Sequence, residues 1–278
     1  MKRITAADCP AYYSGRYTVF PFYSEGKPLP SDSVRWGMTL RKAGSMRFRW
    51  GETNSERIKL LSRIAGRGHV PVSLELIHSH TVYDIHEFSD TFGLTGDGMI
   101  TADKRFIPVV TVADCMPLFL YDPVTGVFGI VHSGWKGTGI IGEAVRLAVQ
   151  NYGASPETIC IAIGPHIRSC CYVVDESRAA YFRENFCDGC VVPYERERTD
   201  WNTRGGKLFR LSLEKANLAV LDRAGVRDEN ITVAGDCTSC NPVFGSFRRE
   251  TAGLAQDEKW KKFTVQAAFC GIISLNTL

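Results

Sequence analysis

Three side chains of this 278-residue chain combine metal-binding or nucleophilic chemistry with positions that can bring them together. Cys115 lies in Thr111-Val-Ala-Asp-Cys-Met-Pro117, and His132 lies in Val131-His-Ser-Gly-Trp135-Lys-Gly-Thr-Gly139. The apolar runs 117–121 and 127–131 read as two strands joined through Asp122-Pro-Val-Thr-Gly126, whose Pro and Gly are turn residues. An antiparallel hairpin about Val124 places Cys115 within a residue or two of His132 across the ladder. A thiolate and an imidazole at one sheet end suit zinc, or a Cys-His nucleophile pair. The run 71–78 alternates like a strand and delivers His78 near its end as a third ligand. His80 competes for that role, because side chains two apart on a strand share a face.

The elements that must hold these groups follow from the hydrophobic periods. Residues 16–22 and 45–50 alternate aromatic and polar positions and predict strands with one wet face. Thr53 and Glu56 have capping-box spacing ahead of Ile58, Leu60, Leu61 and Ile64, which predicts a helix over 54–65 ended by Gly66. The polar, glycine-bearing stretch 84–98 predicts a loop over a site or a short helix, and 107–113 a strand buried on both faces. From Thr138 the period turns helical, with Ile141, Ala144, Val145, Ala148 and Val149 on one side and Gly153 as C-cap. Further on come a strand over 158–163, a helix over 175–186, a turn-rich basic linker around Asn202 to Lys207, a helix over 212–224 before Gly225, and strands at 231–234 and 263–269. Alternating strands and helices without internal repeats indicate an α/β chain, and the early hairpin pattern argues against a purely parallel sheet.

The length is compatible with a single domain over 1–278, in which 1–50 is a variable N-terminal strand region. A net charge of +3 and a pI near 8.3 are too mild for a nucleic-acid partner but compatible with a small phosphate-bearing ligand. No apolar run approaches the roughly 20 residues that span a bilayer, and Met1-Lys-Arg-Ile-Thr-Ala-Ala-Asp8 turns polar before a signal peptide can form. The expectation is a cytoplasmic protein without a membrane partner. Its ten cysteines include the vicinal pair Cys170-Cys171, which a simple disulfide framework seldom uses, so reduced thiols with one or a few metal or catalytic roles are expected. Cys187-x-x-Cys190 and Cys237-x-x-Cys240 look like half-sites of a zinc ribbon, but they lie too far apart for that motif, and the first pair reads as ordinary thiols.

Gly137-Thr-Gly139-Ile-Ile-Gly142 satisfies the G-x-G-x-x-G spacing. The preceding strand ends near Ser133, too early for a dinucleotide turn, and no acid-ended strand follows at the required distance. Free amides at this helix start, with Lys136, would instead hold a phosphate or other anion. Ser246-Phe-Arg248-Arg249 is a compact basic patch whose guanidinium forks fit phosphate or carboxylate.

Together with Ala162-Ile-Gly-Pro-His-Ile167, Cys171-Tyr172, Cys237-Thr238 and Ser246-Phe-Arg-Arg249, the two motifs around Cys115 and His132 resemble the successive signatures of the YfiH family (DUF152). Its members are laccase-domain, polyphenol oxidase-like proteins also described as zinc-dependent purine nucleoside phosphorylases. The resemblance covers about residues 50–255. It implies a layered α/β sandwich with mixed sheets, CNF/YfiH-like, related to a cysteine-hydrolase-like toxin domain. It also implies a site metal on His78, Cys115 and His132, selecting His78 over His80, with Cys115 and His132 as the catalytic pair. Zinc is the implied cofactor, with copper the alternative. The implied partners are a purine nucleoside and phosphate, for phosphorolysis of adenosine, inosine, guanosine and 5′-methylthioadenosine, with adenosine deamination as a further activity.

Lys136 and Arg248 are the candidate substrate contacts. The rival functions are a copper-binding polyphenol oxidase and a Cys-His hydrolase in peptidoglycan editing. A multicopper cluster needs several His-x-His pairs, and six histidines here supply only His78-Ser-His80. Against the family pattern, Leu76 replaces a glutamine, Val173 a glutamate and Ser212 an aspartate, and the usual G-G-V-S motif near the N-terminus is not recognisable. Asp97, in Gly96-Asp-Gly98, also follows the pattern, a position that turn formation would explain equally well.

Overall fold

Successive side chains leave a strand on opposite faces, and in Met116–Tyr121 this alternation sorts the interior into layers. Leu118 and Leu120 pack into one apolar cluster with three helices, while Phe119 and Tyr121 enter a second, aromatic cluster between two sheets. The computed structural model describes residues 1–9, 15–195 and 207–273. Its seven-stranded sheet runs in the order Lys2–Ile4, Ile231–Ala234, Cys160–Ile163, Met116–Tyr121, Phe128–Ser133, Gly98–Thr101, Val82–Asp84. The facing five-stranded sheet runs Tyr17–Pro21, Arg35–Thr39, Gln266–Gly271, Phe106–Val112, Val70–Ser73. Both mix parallel and antiparallel pairs, as the expected layered α/β architecture requires.

Trp36 sits at the centre of the layer between the sheets, fully buried, with ring centroids 4.7 Å from Phe20 and 4.9 Å from Phe119. Each such ring contributes about 1.5–3 kcal/mol by leaving water. Outside the seven-stranded sheet lie the helices Ile140–Tyr152, Glu176–Asn185 and Leu213–Arg223. The helix Ser55–Ala65 covers the far side of the five-stranded sheet through Leu60, Leu61 and Ile64.

Several elements differ from their expected form. Residues 45–50 make no strand: Met46 donates one backbone bond to Val265, Phe48 stacks under the Arg57 guanidinium, and the Trp50 indole donates to Leu94. The aromatic alternation there reflects separate anchoring points rather than a ladder. The strand Tyr17–Pro21 has no wet face, because Tyr17 and Val19 are covered by the helix layer and Phe20 by the aromatic one. Asn54, not Thr53, caps the first helix by accepting from the Arg57 amide at 3.1 Å, and Ile58 and Val149 are exposed on their helices. Ser212 caps the helix Leu213–Arg223 by accepting from the Lys215 amide, so serine keeps the capping that aspartate would give. Cys187 and Cys190 are joined in a disulfide instead of standing as free thiols. Residues 202–206 of the basic linker lie outside the described residues.

Candidate active site

The chain passes from one sheet to the other in three residues, and Cys115 is the last of them. Phe106–Val112 belongs to the five-stranded sheet and Met116–Tyr121 to the seven-stranded one. Asp114 makes the corner with φ 81°, a left-handed conformation that Asp tolerates better than most residues. Its carboxylate accepts from Thr238 Oγ1 at 2.6 Å, Ser246 Oγ at 3.0 Å and the Arg248 amide at 2.6 Å. Burial pushes the Asp114 carboxyl up from its ordinary value, with those three donors acting against it.

His132 is carried by the partner strand of the hairpin. Pro117 pairs with His132 in the register, so Cys115 stands two residues beyond that pair, as the turn chemistry predicted. His78 arrives differently. The strand ends at Ser73, and His78 occupies a bend with φ 61°. The bend is held by Asp97, whose carboxylate accepts from the amides of His78 (3.0 Å) and Ser79 (2.6 Å) and from Ser79 Oγ (2.8 Å). The same carboxylate lies 2.9 Å from His132 Nδ1. One buried acid therefore orients both histidines and leaves Nε2 of His132 for the side of Cys115.

The three candidate ligand atoms lie within 4.8 Å of one another, and the two imidazole centroids are 4.9 Å apart. His80 is not in the group, because the strand on which His78 and His80 would share a face does not exist. One thiolate and two imidazoles fit zinc in a three-ligand site, and equally fit copper.

The electrostatics favour a preformed thiolate. Burial alone would raise the Cys115 thiol, but the adjacent His132, and His78 after it, bring it down to about 6. For His132 burial works downward, and the Cys115 thiolate and the Asp97 hydrogen bond carry it up to about 9. Metal-free protein should therefore be alkylated at Cys115 by iodoacetamide with a rate that rises through pH 6 and is near its maximum at pH 7. An inflection near the ordinary thiol value, about 8.5, would show that the pair does not form.

Glycine leaves room beside the ligands. A Cβ on Gly134 would lie 3.1 Å from both Cys115 Sγ and His78 Cδ2, tighter than most real contacts. Gly134→Ala is expected to weaken zinc binding about tenfold while leaving the melting temperature nearly unchanged, as read by competition with a chelator dye and by thermal unfolding.

The centre opens into a cavity of about 930 Å³. Its walls include Phe48, Trp135, Tyr172 and Phe247 among aromatic side chains and Arg47, Arg178 and Arg248 among cations. The Arg178 guanidinium lies 4.2 Å from the Trp135 ring centroid, and Arg248 donates to the Cys171 carbonyl at 3.2 Å. Arg249 is a brace, with bonds to the carbonyls of Thr238, Ser239 and Asn241. Lys136 does not line the cavity: it is exposed, with its ammonium over the Trp135 ring. The glycine turn is a packing feature rather than an anion cradle. The Gly139 amide donates to Asn217, the Ile140 and Gly142 amides donate within the turn, and Gly137 and Gly142 admit the Ser79 carbonyl and Val220. Leu76 lines the cavity and Val173 is buried in its strand.

The sequence profile of the family described as multi-copper polyphenol oxidoreductase laccase matches residues 52–255. The chain belongs to this family. The purine nucleoside phosphorylase YlmD of Bacillus subtilis is 34% identical over 157 residues, covering 55% of this chain and 54% of that one. A purine nucleoside phosphorylase of Deinococcus radiodurans is 40% identical over 173 residues, covering 62% of each. The chain thus spans between about half and six-tenths of the length of these curated relatives. The crystal structure of YlmD from Geobacillus stearothermophilus has a TM-score of 0.70 at 25% identity, over 88% of this chain and 94% of that one. The family's mixed-sheet fold is therefore shared nearly end to end. Among the described residues, no helix is long and apolar enough to cross a membrane.

Proposed function

We propose that this chain is a zinc-dependent purine nucleoside phosphorylase, using phosphate to cleave adenosine, inosine or guanosine and 5′-methylthioadenosine. The observation that carries the reading is the meeting of His78, Cys115 and His132 at one side of a cavity walled by aromatic rings and arginines. Relatives bearing the phosphorylase name support it. His78, Cys115 and His132 would hold zinc, which would supply Lewis acidity when bound.

The protein's own groups supply the rest. Aromatic faces such as Trp135 and Tyr172 hold a planar purine. Arg47, Arg178 and Arg248 balance the charge of phosphate, with forks matched to its oxygens. Hydrogen phosphate forms a bond to the ribose anomeric carbon as the bond to the purine nitrogen breaks, and the purine leaves carrying the proton that the phosphate gives up. The walls orient the two reactants and keep competing water from the anomeric carbon.

Copper suits the same three donors. A multicopper cluster is not supported, because among the described residues His69, His80, His86 and His166 do not join His78, Cys115 and His132.

The test is incubation of zinc-loaded protein with adenosine, inosine and 5′-methylthioadenosine, with and without phosphate. Free base and ribose 1-phosphate are expected only with phosphate, and ammonia release from adenosine reports deamination. No base from any nucleoside at full zinc loading would overturn the reading.

A further inference from the structure

Four other cysteines meet next to Tyr172 and Ser239 of the cavity wall. The Cys240 sulfur lies 3.6 Å from that of Cys170 and 3.2 Å from that of Cys171, and all four sulfurs of Cys170, Cys171, Cys237 and Cys240 lie within 4.8 Å of one another. A disulfide requires about 2.05 Å between sulfurs, and Cys187–Cys190 shows that this chain forms one where a pair closes. Thiolates around a single zinc ion at about 2.3 Å stand about 3.8 Å apart along the edges of a tetrahedron. The spacings of 3.2 and 3.6 Å lie nearer that edge than the disulfide length, and with all four sulfurs within 4.8 Å the set is more compact than the thiolates of a cluster of several irons. We propose that these four cysteines form a second, structural site that binds one zinc ion.

The backbone is arranged for four ligands rather than one pair. Adjacent cysteines diverge on a strand, but Cys170 and Cys171 sit in a turn in which the amides of Cys171 and Tyr172 both donate to the Arg168 carbonyl at 2.9 Å. The second loop is pinned to the first by a bridge between His166 and Cys237 and by the Thr238 amide on the His166 carbonyl. It then turns back through the Asn241 amide on the Cys237 carbonyl, which returns Cys240 toward Cys237. The Cys237 sulfur accepts the Arg168 amide at 3.4 Å and also the amides of Ser239 and Cys240. Such amides stabilise a thiolate ligand before any metal arrives. The remaining thiols, Cys9, Cys160 and Cys270, are buried, and among the described residues they join no group of potential ligands.

The site joins the two loops that build part of the cavity wall. Tyr172 and Ser239 face the cavity beside these cysteines, the Cys171 carbonyl accepts from Arg248, and Thr238 holds Asp114 at the corner before Cys115. On binding, each thiol still protonated releases its proton and the zinc forms four bonds to sulfur. The metal would brace this wall without touching substrate.

The proposal is independent of the nucleoside reading, because it is read from metal content and spectra rather than turnover. Full-length protein is loaded under reducing conditions with zinc or with cobalt(II), then dialysed. Wild type is expected to hold about two ions per chain. A variant carrying His78→Ala, Cys115→Ala and His132→Ala together should keep about one, with the intense near-ultraviolet sulfur-to-cobalt band of a tetrahedral thiolate site. Cys170→Ser with Cys240→Ser should lose that ion and that band. A folded triple variant that binds neither metal, or an unchanged cobalt spectrum in the Cys170→Ser/Cys240→Ser protein, overturns the site. If the serine variant does not fold, the triple variant decides; if both fail, wild type whose bound cobalt shows no sulfur-to-metal band stronger than one thiolate gives overturns it.

Discussion

Cys115→Ala is expected to lower the proposed nucleoside phosphorolysis about 1,000-fold or more and to abolish metal binding at the centre, with little loss of fold stability. The activity figure follows from the several kcal/mol that a metal ion contributes to charge stabilisation at about 1.4 kcal/mol per tenfold in rate. Removing one of three donors leaves only His78 and His132, too few to retain zinc against water. The fold survives because Cys115 is only partly buried and its neighbour Asp114 keeps the corner through Thr238, Ser246 and Arg248. His132→Ala is expected to give the same loss of activity but a larger loss of stability, since His132 is 2% exposed and its departure leaves Asp97 without its ring partner. Steady-state kinetics with metal analysis on the same samples checks both. Full activity in metal-free Cys115→Ala protein would leave the scheme without support.

Asp97→Asn is expected to weaken zinc binding about 10–100-fold and to cost about 3 kcal/mol of stability, although Asp97 touches neither metal nor substrate in this account. The carboxylate is fully buried and accepts from His132, the His78 and Ser79 amides and Ser79 Oγ. Asparagine offers one acceptor oxygen and turns a donor toward groups that are themselves donors. Burial alone would raise the Asp97 carboxyl, but His132 and Ser79 outweigh it and bring it to about 2. Its folded value is thus depressed, so its contribution is complete above the unfolded value near 3.8 and is lost as pH falls through about 2. The stability gap between wild type and Asp97→Asn should therefore narrow between pH 4 and pH 2, as measured by urea unfolding. A constant gap would assign the loss to shape alone.

The sequence showed the hairpin clearly, because its two strands obey a period of two and the connecting Asp122 to Gly126 carries turn chemistry, so the approach of Cys115 and His132 was legible. His78 was legible as a third ligand with His80 as its competitor, and the family resemblance chose between them, while the local pattern misplaced His78 on a strand. That misreading has a tertiary cause: the bend at His78 is set by Asp97, nineteen residues later, and no local period encodes such a bond. Asp114 escaped notice for the same reason, its partners lying more than a hundred residues away at Thr238, Ser246 and Arg248. The cysteines show the limit of motif spacing. Two C-x-x-C pairs stood too far apart for one ribbon and the first read as ordinary thiols, whereas the first closes on itself and the second meets a vicinal pair that converges only inside a turn.

The most direct measurement is a zinc titration of metal-free protein, with inosine and phosphate present and hypoxanthine release followed at each addition. Purine release is predicted to be absent at the start, to rise in proportion to zinc bound at the His78, Cys115 and His132 centre, and to stop when phosphate is withheld. Release that is already maximal in the metal-free protein, or that does not depend on phosphate, would contradict the assignment.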